Sequence, residues 1–423
     1  MKKTYSILLA GFAALAVFSC NKDVKPAAPM SCEEVQKKLS DVAVATIKEV
    51  DPDNYKEWGQ SAIKLYTDYK TIGAQSEELD LDEMMVKTTE EKSEGTEIIT
   101  NIIRLSLLKG DVTVVDNKFV YKESENPFNM TIPSDGKTYK IQMECSGENG
   151  DGIILTERTR TVDEVTLIRR TGVVVPQKAA AHITQDGKQF MDIEIYPVIE
   201  DNNKSGMLDD TDVIKGHASV VIPGYSLTLN DFNASNDGIT AALALMHGNT
   251  SVLSINAEVE LETIVQDLKS LTKAEAEFET IPGDIKGNIS LMGGQAIVKA
   301  NIDGEDLWGV PTHYSSESEA KKAVKVFNEN AKADLYFDNN PTIQASLCFM
   351  VEKASTEEEE EGDSWNVIPG FHFYDGVSGD MTYKEFLTSF TSNEEAFGPV
   401  MDAAGGFMGK IALYFPELMP KKK

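Results

Sequence analysis

The chain has 423 residues, 41% of them apolar, and a formal net charge of −29 from 40 basic and 69 acidic side chains. This apolar fraction is enough for folded cores, and the length suits two domains or one elongated sheet with added helices. Nucleic acid and anionic lipid head groups are disfavoured as partners, because so acidic a chain repels both.

Met1-Lys2-Lys3 makes a basic start, and residues 7–18 form an apolar run of signal-peptide length, too short for a spanning helix. The run closes on Val17-Phe18-Ser19-Cys20, a lipobox-like pattern. It predicts cleavage before Cys20 and a diacylglycerol thioether on that sulfur. An ordinary signal peptide with a chance cysteine is the alternative. Residues 1–19 thus read as a lipoprotein signal peptide and 20–30 as a tether kept extended by Pro26 and Pro29. Several acyl chains on one cysteine hold a protein to a bilayer without any spanning helix. The other three cysteines, Cys32, Cys145 and Cys348, are odd in number and widely spaced, which is no disulfide framework. Cys145 and Cys348 lie in apolar registers and are expected as small buried hydrophobes.

Residues 31–98 read as a helical and acidic segment. Ser31 with Glu34 marks a cap, after which Val35, Leu39, Val42 and Ile47 recur at helical spacing. Asp51-Pro52-Asp53 breaks this helix. A second follows with Trp58, Ala62, Leu65, Tyr66 and Tyr69 on one side and Gly73 at its end. Residues 77–97, with nine acidic residues and two lysines, read as a loop or loose helix that serves as a solvated connection.

Residues 99–305 read as an antiparallel β region with one helix. Strands are expected at 102–108 and 112–121, joined by a turn at Lys109-Gly110-Asp111, then at 139–146, 153–160 and 165–175 as a continuing sheet. Residues 189–196 alternate Met191, Ile193 and Ile195 against Asp192 and Glu194, and 251–261 alternate in the same way. Such patterns belong to sheets with one dry and one wet face. Glycine turns precede the strands at Phe190, Val252 and Ala296, a repeated hairpin pattern and not a sequence repeat. Residues 261–271 switch to helical spacing.

Residues 306–423 read as an α+β part packed on the sheet. Ser316 with Glu319 opens a helix carrying Ala320, Ala323, Val324 and Phe327 on one face. Strands follow at 335–338, 343–351 and, last, 365–374. Two short helices, from Tyr383 and from Ser392 boxed by Glu395, end the chain. The fold class is α+β: an extended, twisted, mostly antiparallel sheet built of glycine-turn hairpins, with N-terminal, mid-chain and C-terminal helices.

Several of these parts occur in a recognisable order. They are the lipobox cysteine, the helical pair, Phe119-Val120-Tyr121 before Ser134-Asp135-Gly136-Lys137, the Val175-Pro176 lead-in to a glycine-turn hairpin, and Phe373-Tyr374-Asp375-Gly376 before Tyr383-Lys384-Glu385-Phe386. In this order the chain resembles a group of envelope lipoproteins from anaerobic Gram-negative bacteria, over most of its length after Cys20. The resemblance implies an envelope location at the outer membrane and carries over no activity, ligand or catalytic residue.

The five histidines, His182, His217, His247, His313 and His372, share no close spacing. No zinc-protease, phosphate-loop or nucleophile-elbow motif occurs, and Gly224-Tyr225-Ser226-Leu227-Thr228 fails at the final glycine. Carboxylates are too numerous for any pair to stand out as acid and base. One stretch has ligand spacing: Asp201, Asn203, Ser205, the Met207 carbonyl, Asp209 and Asp212 occupy positions 1, 3, 5, 7, 9 and 12 of a calcium loop, with Gly206 at the turn. Position 12 is Asp instead of the longer Glu, and the flanks read as strands. An acidic connecting loop is therefore the competing reading. Trp58, Trp308 and Trp365 lie apart in apolar patterns, and Trp308 is the one expected on a loop. The reading that results is a noncatalytic lipoprotein, held to a lipid bilayer through Cys20, that binds a lipid, glycan or protein. A hydrolase on envelope or dietary polymers and a surface scaffold are the alternatives.

Overall fold

The Glu34 amide donates to Ser31 Oγ while the Ser31 amide donates to the Glu34 carboxylate, so two free amide donors are satisfied at the start of α1 (Cys32–Glu49). A 3₁₀ turn at Pro52–Asn54 separates it from α2 (Lys56–Gly73), which ends where the glycine predicts. The computed structural model describes residues 26–76, 109–146, 153–162, 165–173, 176–200, 202, 212–235, 237–264, 279–354 and 364–419. Contacts divide the chain into two units, residues 1–51 with 237–409 (unit 1) and residues 52–236 with 410–423 (unit 2).

Unit 2 holds α2 and strands β1 (Lys109–Val115), β2 (Lys118–Pro127), β3 (Asn129–Ser134), β4 (Lys137–Ser146), β5 (Ile153–Val162), β6 (Val165–Val173), β7 (Lys178–Gln185), β8 (Lys188–Glu200), β9 (Val213–Ile222) and β10 (Tyr225–Ser235). Eight of them pair in the order β2-β1-β3-β4-β7-β8-β9-β10. All these pairings are antiparallel except β1 with β3, which run parallel through Asp111–Asn129 and Val112–Met130.

Two expectations are corrected here. Residues 112–121 do not form one strand: Asp116 and Asn117, at φ of 49° and 61°, turn the chain between β1 and β2. Gly110 lies within β1, at the register shift between Lys109 and Asp111, and not in a turn. Nor do 165–175 continue the sheet. β5 and β6 pair only with each other, and β4 pairs directly with β7. The turn Asp186-Gly187, at φ of 50° and 79°, has the left-handed backbone that a tight hairpin demands and that Gly adopts without strain. On one face of this ladder Leu65 and Ile72 of α2 pack against Val112, Phe119, Met130, Ile132, Tyr139 and Ile183.

Unit 1 contains α1 with β11 (Gly238–His247), β12 (Thr250–Ile264), β13 (Glu279–Leu291), β14 (Ala296–Asp303), β15 (His313–Tyr314), β16 (Ala331–Phe337), β17 (Ala345–Lys353), β18 (Trp365–Phe373) and β19 (Asp380–Thr382). Its ladder is antiparallel throughout, in the order β11-β12-β13-β14-β16-β17-β18-β19, with β15 beside β18. Cys32, Val35 and Val42 of α1 pack on Ala296, Phe337, Ala345 and Phe373. The helices are α3 (Gly304–Leu307), α4 (Glu317–Asn330), α5 (Tyr383–Ser392) and α6 (Glu394–Tyr414), the last reaching into the residues of unit 2.

Ser316 caps α4, whose Ala320 and Ala323 are buried as the spacing predicts. Residues 261–264 belong to β12 and not to a helix, and the rest of that helical stretch lies outside the described residues. The short β19 follows the strand expected to be last. The final helix is 21 residues long, not short, and Ser392 does not cap it. Ser392 Oγ donates back to the Thr388 carbonyl, and Asn393 Oδ1 accepts from the Ala396 amide. The class is α+β, with mostly antiparallel strands and helices at both ends and mid-chain. Among the described residues no helix is long and apolar enough to cross a membrane.

Candidate functional site

Unit 2 carries an apolar groove of about 310 Å³ between α2 and its sheet. Its floor is one cross-strand row, Met130–Ile141–Ile183–Met191, running over β3, β4, β7 and β8 through consecutive antiparallel pairs. Four strands at about 4.8 Å spacing make this row roughly 14 Å long. Phe128, Ile132 and Met143 flank it. Ala62, Leu65, Tyr66 and Tyr69 of α2 form the opposite wall, at the i, i+3, i+4, i+7 spacing that puts them on one helix face. Among the described residues no charged side chain lines the groove. A methionine at each end of the row gives the floor unbranched side chains that adapt to an occupant.

The helix is pinned by Trp58, whose indole N–H donates to the Phe190 carbonyl at 2.8 Å. That carbonyl lies at a bulge in β8. Ile183 pairs with Met191 and Thr184 with Gln189, so Phe190 is the extra residue. Both Phe190 and Met191 thereby reach the groove.

The reverse face of the same strands is wet and charged. His182 Nδ1 lies 3.0 Å from Asp192 Oδ1, and its Nε2 lies 3.2 Å from Glu144 Oε1. Lys178 Nζ bonds Glu194 at 2.7 Å and Glu144 at 3.4 Å, and the Tyr196 hydroxyl donates to Glu194. Tyr196 stacks on His217 with ring centroids 4.1 Å apart. Burial pulls the His182 imidazolium down, but its bonds to Asp192 and Glu144 outweigh this and leave its pKa raised. The hydrogen bond from His182 holds the Glu144 carboxyl below its usual range, and that from Lys178 does the same for Glu194. Each of Glu144, His182 and Asp192 is the chain neighbour of a groove residue, namely Met143, Ile183 and Met191. One set of strands therefore presents apolar and ionic side chains on its two faces.

The remaining histidines are dispersed: His247 bonds Glu49, His372 bonds Asp380, and His313 sits by Thr312. Among the described residues no group of three or more His, Cys, Asp or Glu could hold a metal ion. Of the expected calcium loop, Asp201, Asn203, Ser205, Met207 and Asp209 lie outside the described residues, as does Cys20. Asp212 is described. It is buried, and its Oδ1 accepts the Asn202 amide at 3.1 Å, at the foot of the β8–β9 hairpin. Trp58 packs in the core of unit 2, whereas Trp308 is 46% exposed. Cys32 is buried, and Cys145 and Cys348 are half-buried.

The groove was half visible in the sequence, in the apolar side of α2 and the dry registers of β4 and β8. The bulge at Phe190 and the β4–β7 pairing, which complete it, have no local signal. No family model, curated protein or solved structure matches the chain.

Proposed function

We propose that the protein is an envelope lipoprotein, held to the outer membrane by acyl chains on Cys20, that binds an apolar ligand in the groove of unit 2 without transforming it. The observation that carries this reading is the uncharged lining of the groove between α2 and the row Met130–Ile141–Ile183–Met191. Its volume of about 310 Å³ stands at the lower end of the roughly 300–1,000 Å³ of ligand pockets. Each ligand methylene taken from water into such a site contributes about 0.8 kcal/mol. A binding role is also supported by the state of His182. Both ring nitrogens face carboxylates, so neither is positioned to take a proton from a hydroxyl nucleophile.

The test is binding of an uncharged fluorescent acyl probe, with native mass spectrometry for lipid retained from expression. Ala62→Phe, which fills the groove from the helix side, is expected to abolish probe binding while leaving the protein folded by circular dichroism. Unchanged binding in that variant would place the ligand elsewhere. For the anchor, a radiolabelled fatty acid is expected to enter the wild-type chain and not Cys20→Ser. Equal labelling of both would remove Cys20 as the acylated residue.

A further inference from the structure

The mouth of the groove carries a lysine that no carboxylate pairs with among the described residues. Tyr66 lines the groove yet is 61% exposed, which puts it at the rim. Lys70, one helical turn further on, holds its ammonium 5.5 Å from the centre of the Tyr66 ring. Of the lysines near this helix, Lys64 pairs with Asp68, Lys137 donates to Ser61 and Lys56 lies over the Tyr414 ring at the far end of the helix. Lys70 has no carboxylate partner among the described residues, and its helical neighbours at three and four residues' distance are Tyr66, Thr67, Gly73 and Ala74, none of them acidic. Lys70 is thus a cation without a carboxylate partner among the described residues, beside an apolar opening.

Resting on the binding role proposed above, we infer that the occupant is a single-chain fatty acid, its alkyl tail along the Met130–Ile141–Ile183–Met191 row and its carboxylate at the rim, met by Lys70 Nζ and the Tyr66 hydroxyl. Size argues for one chain, since about 310 Å³ leaves no room for a diacyl lipid. Charge argues for an anionic head. The net charge of −29 repels anions at long range, so preference for one must come from a local cation, and Lys70 is the cation in place. A single ammonium matches a single carboxylate. The lysine also keeps the free acid from binding as a simple hydrocarbon would, because the head group stays hydrated at the rim while the tail enters.

The experiment is calorimetric titration of the purified protein with dodecanoate, dodecan-1-ol and a twelve-carbon lysophosphatidylcholine, below their aggregation thresholds, at low and moderate salt. Dodecanoate is expected to bind about three- to tenfold more tightly than the alcohol, the range a partly exposed charge-assisted bond supplies. The margin should shrink with added salt. Lys70→Gln should bring the two ligands level, Lys70→Arg should restore the difference, and Ala62→Phe should remove both. Equal affinities in the wild type, or a preference that survives Lys70→Gln, overturns the head-group assignment while leaving the groove intact. Lysophosphatidylcholine binding as tightly as dodecanoate overturns the choice of carboxylate. Failure of all three ligands to bind overturns the groove reading as well.

Discussion

Trp58 and Phe190 hold helix and sheet together by a hydrogen bond at the irregularity of β8. The indole N–H reaches the Phe190 carbonyl, at the extra residue of the β7–β8 pairing, at 2.8 Å, with the two rings 5.7 Å apart. Trp58→Phe keeps an aromatic ring on the core and deletes the donor. Leaving a carbonyl without its partner costs about 1–3 kcal/mol, and the expected loss of unfolding free energy in urea falls in that range. The same variant should weaken acyl-probe binding, because α2 is one wall of the groove. Stability and binding both equal to wild type would show that packing alone positions the helix.

Gly59 sits inside α2, where glycine is otherwise unfavourable by about 1 kcal/mol relative to alanine. A Cβ at this position would lie 2.6 Å from Cε1 and 2.8 Å from Cζ of Phe415. Phe415 is itself buried and stacked on Tyr55. The glycine is thus required by close approach, with no positive φ involved. Overpacking a fixed ring costs about 1–3 kcal/mol, enough to cancel the gain in helix propensity. Gly59→Ala is expected to be neutral to about 1 kcal/mol destabilising, and Gly59→Leu clearly destabilising, in chemical denaturation. A stabilised Gly59→Ala would mean that the Phe415 ring moves aside freely.

The thiols of Cys32 and Cys348 are held protonated. Burial, then the charge of Asp380, pushes Cys348 up to about 11. Burial followed by the charges of Asp375 and Glu33 raises Cys32. Since the thiolate is the reactive species, both should resist alkylation by iodoacetamide at pH 8 in the native protein and react fully in denaturant. Peptide mapping of the alkylated sites decides it. Rapid native labelling of Cys348 would contradict its placement in β17.

What the sequence discloses is what neighbours in the chain decide. Ser31 with Glu34 and the Asp186-Gly187 turn are local chemistry, and both are realised. The dry and wet registers of β8 were equally open to inspection, since alternation is a period-two signal. What stayed hidden depends on contacts between distant residues. The β5–β6 hairpin reads as strand in the sequence, yet β4 pairs with β7, and Cys145 meets Ala179 instead. The Asn393 cap lost to Ser392 in the sequence because both fit the pattern, and only the Thr388 carbonyl, already bonded to Ser392, separates them. The place of Lys70 at the rim is visible only once α2 is packed on the sheet.

Asp212 closes a hairpin. It is 5% exposed, and its carboxylate accepts the Asn202 amide across the base of the β8–β9 connection. Loss of a charged acceptor from this part-buried hydrogen bond costs about 1–3 kcal/mol. Asp212→Ala should therefore lower the melting temperature by the same amount in calcium and in chelator, as a loop-closing residue requires. A loss seen in calcium alone would instead assign Asp212 to an ion.

The network behind the groove should give the protein a pH-dependent stability of determinate sign. Its members are Glu144 on β4, Lys178 and His182 on β7, and Asp192, Glu194 and Tyr196 on β8. His182 has a folded pKa raised above its unfolded value of about 6.5. Its contribution is thus fully present below about pH 6.5 and lost as the pH rises through the raised value. Glu144 is lowered, first by its bond from His182. Its contribution is present above an unfolded value of about 4.3 and is lost as the pH falls through the lowered value. The two windows overlap between about pH 4.5 and 6.5, where the His182 ion pairs should stabilise most. His182→Asn cannot carry the charge. The difference in unfolding free energy between wild type and this variant should be largest near pH 5.5 and decline above pH 7. A difference that stays flat from pH 5 to 9 would mean that His182 acts through neutral hydrogen bonds alone.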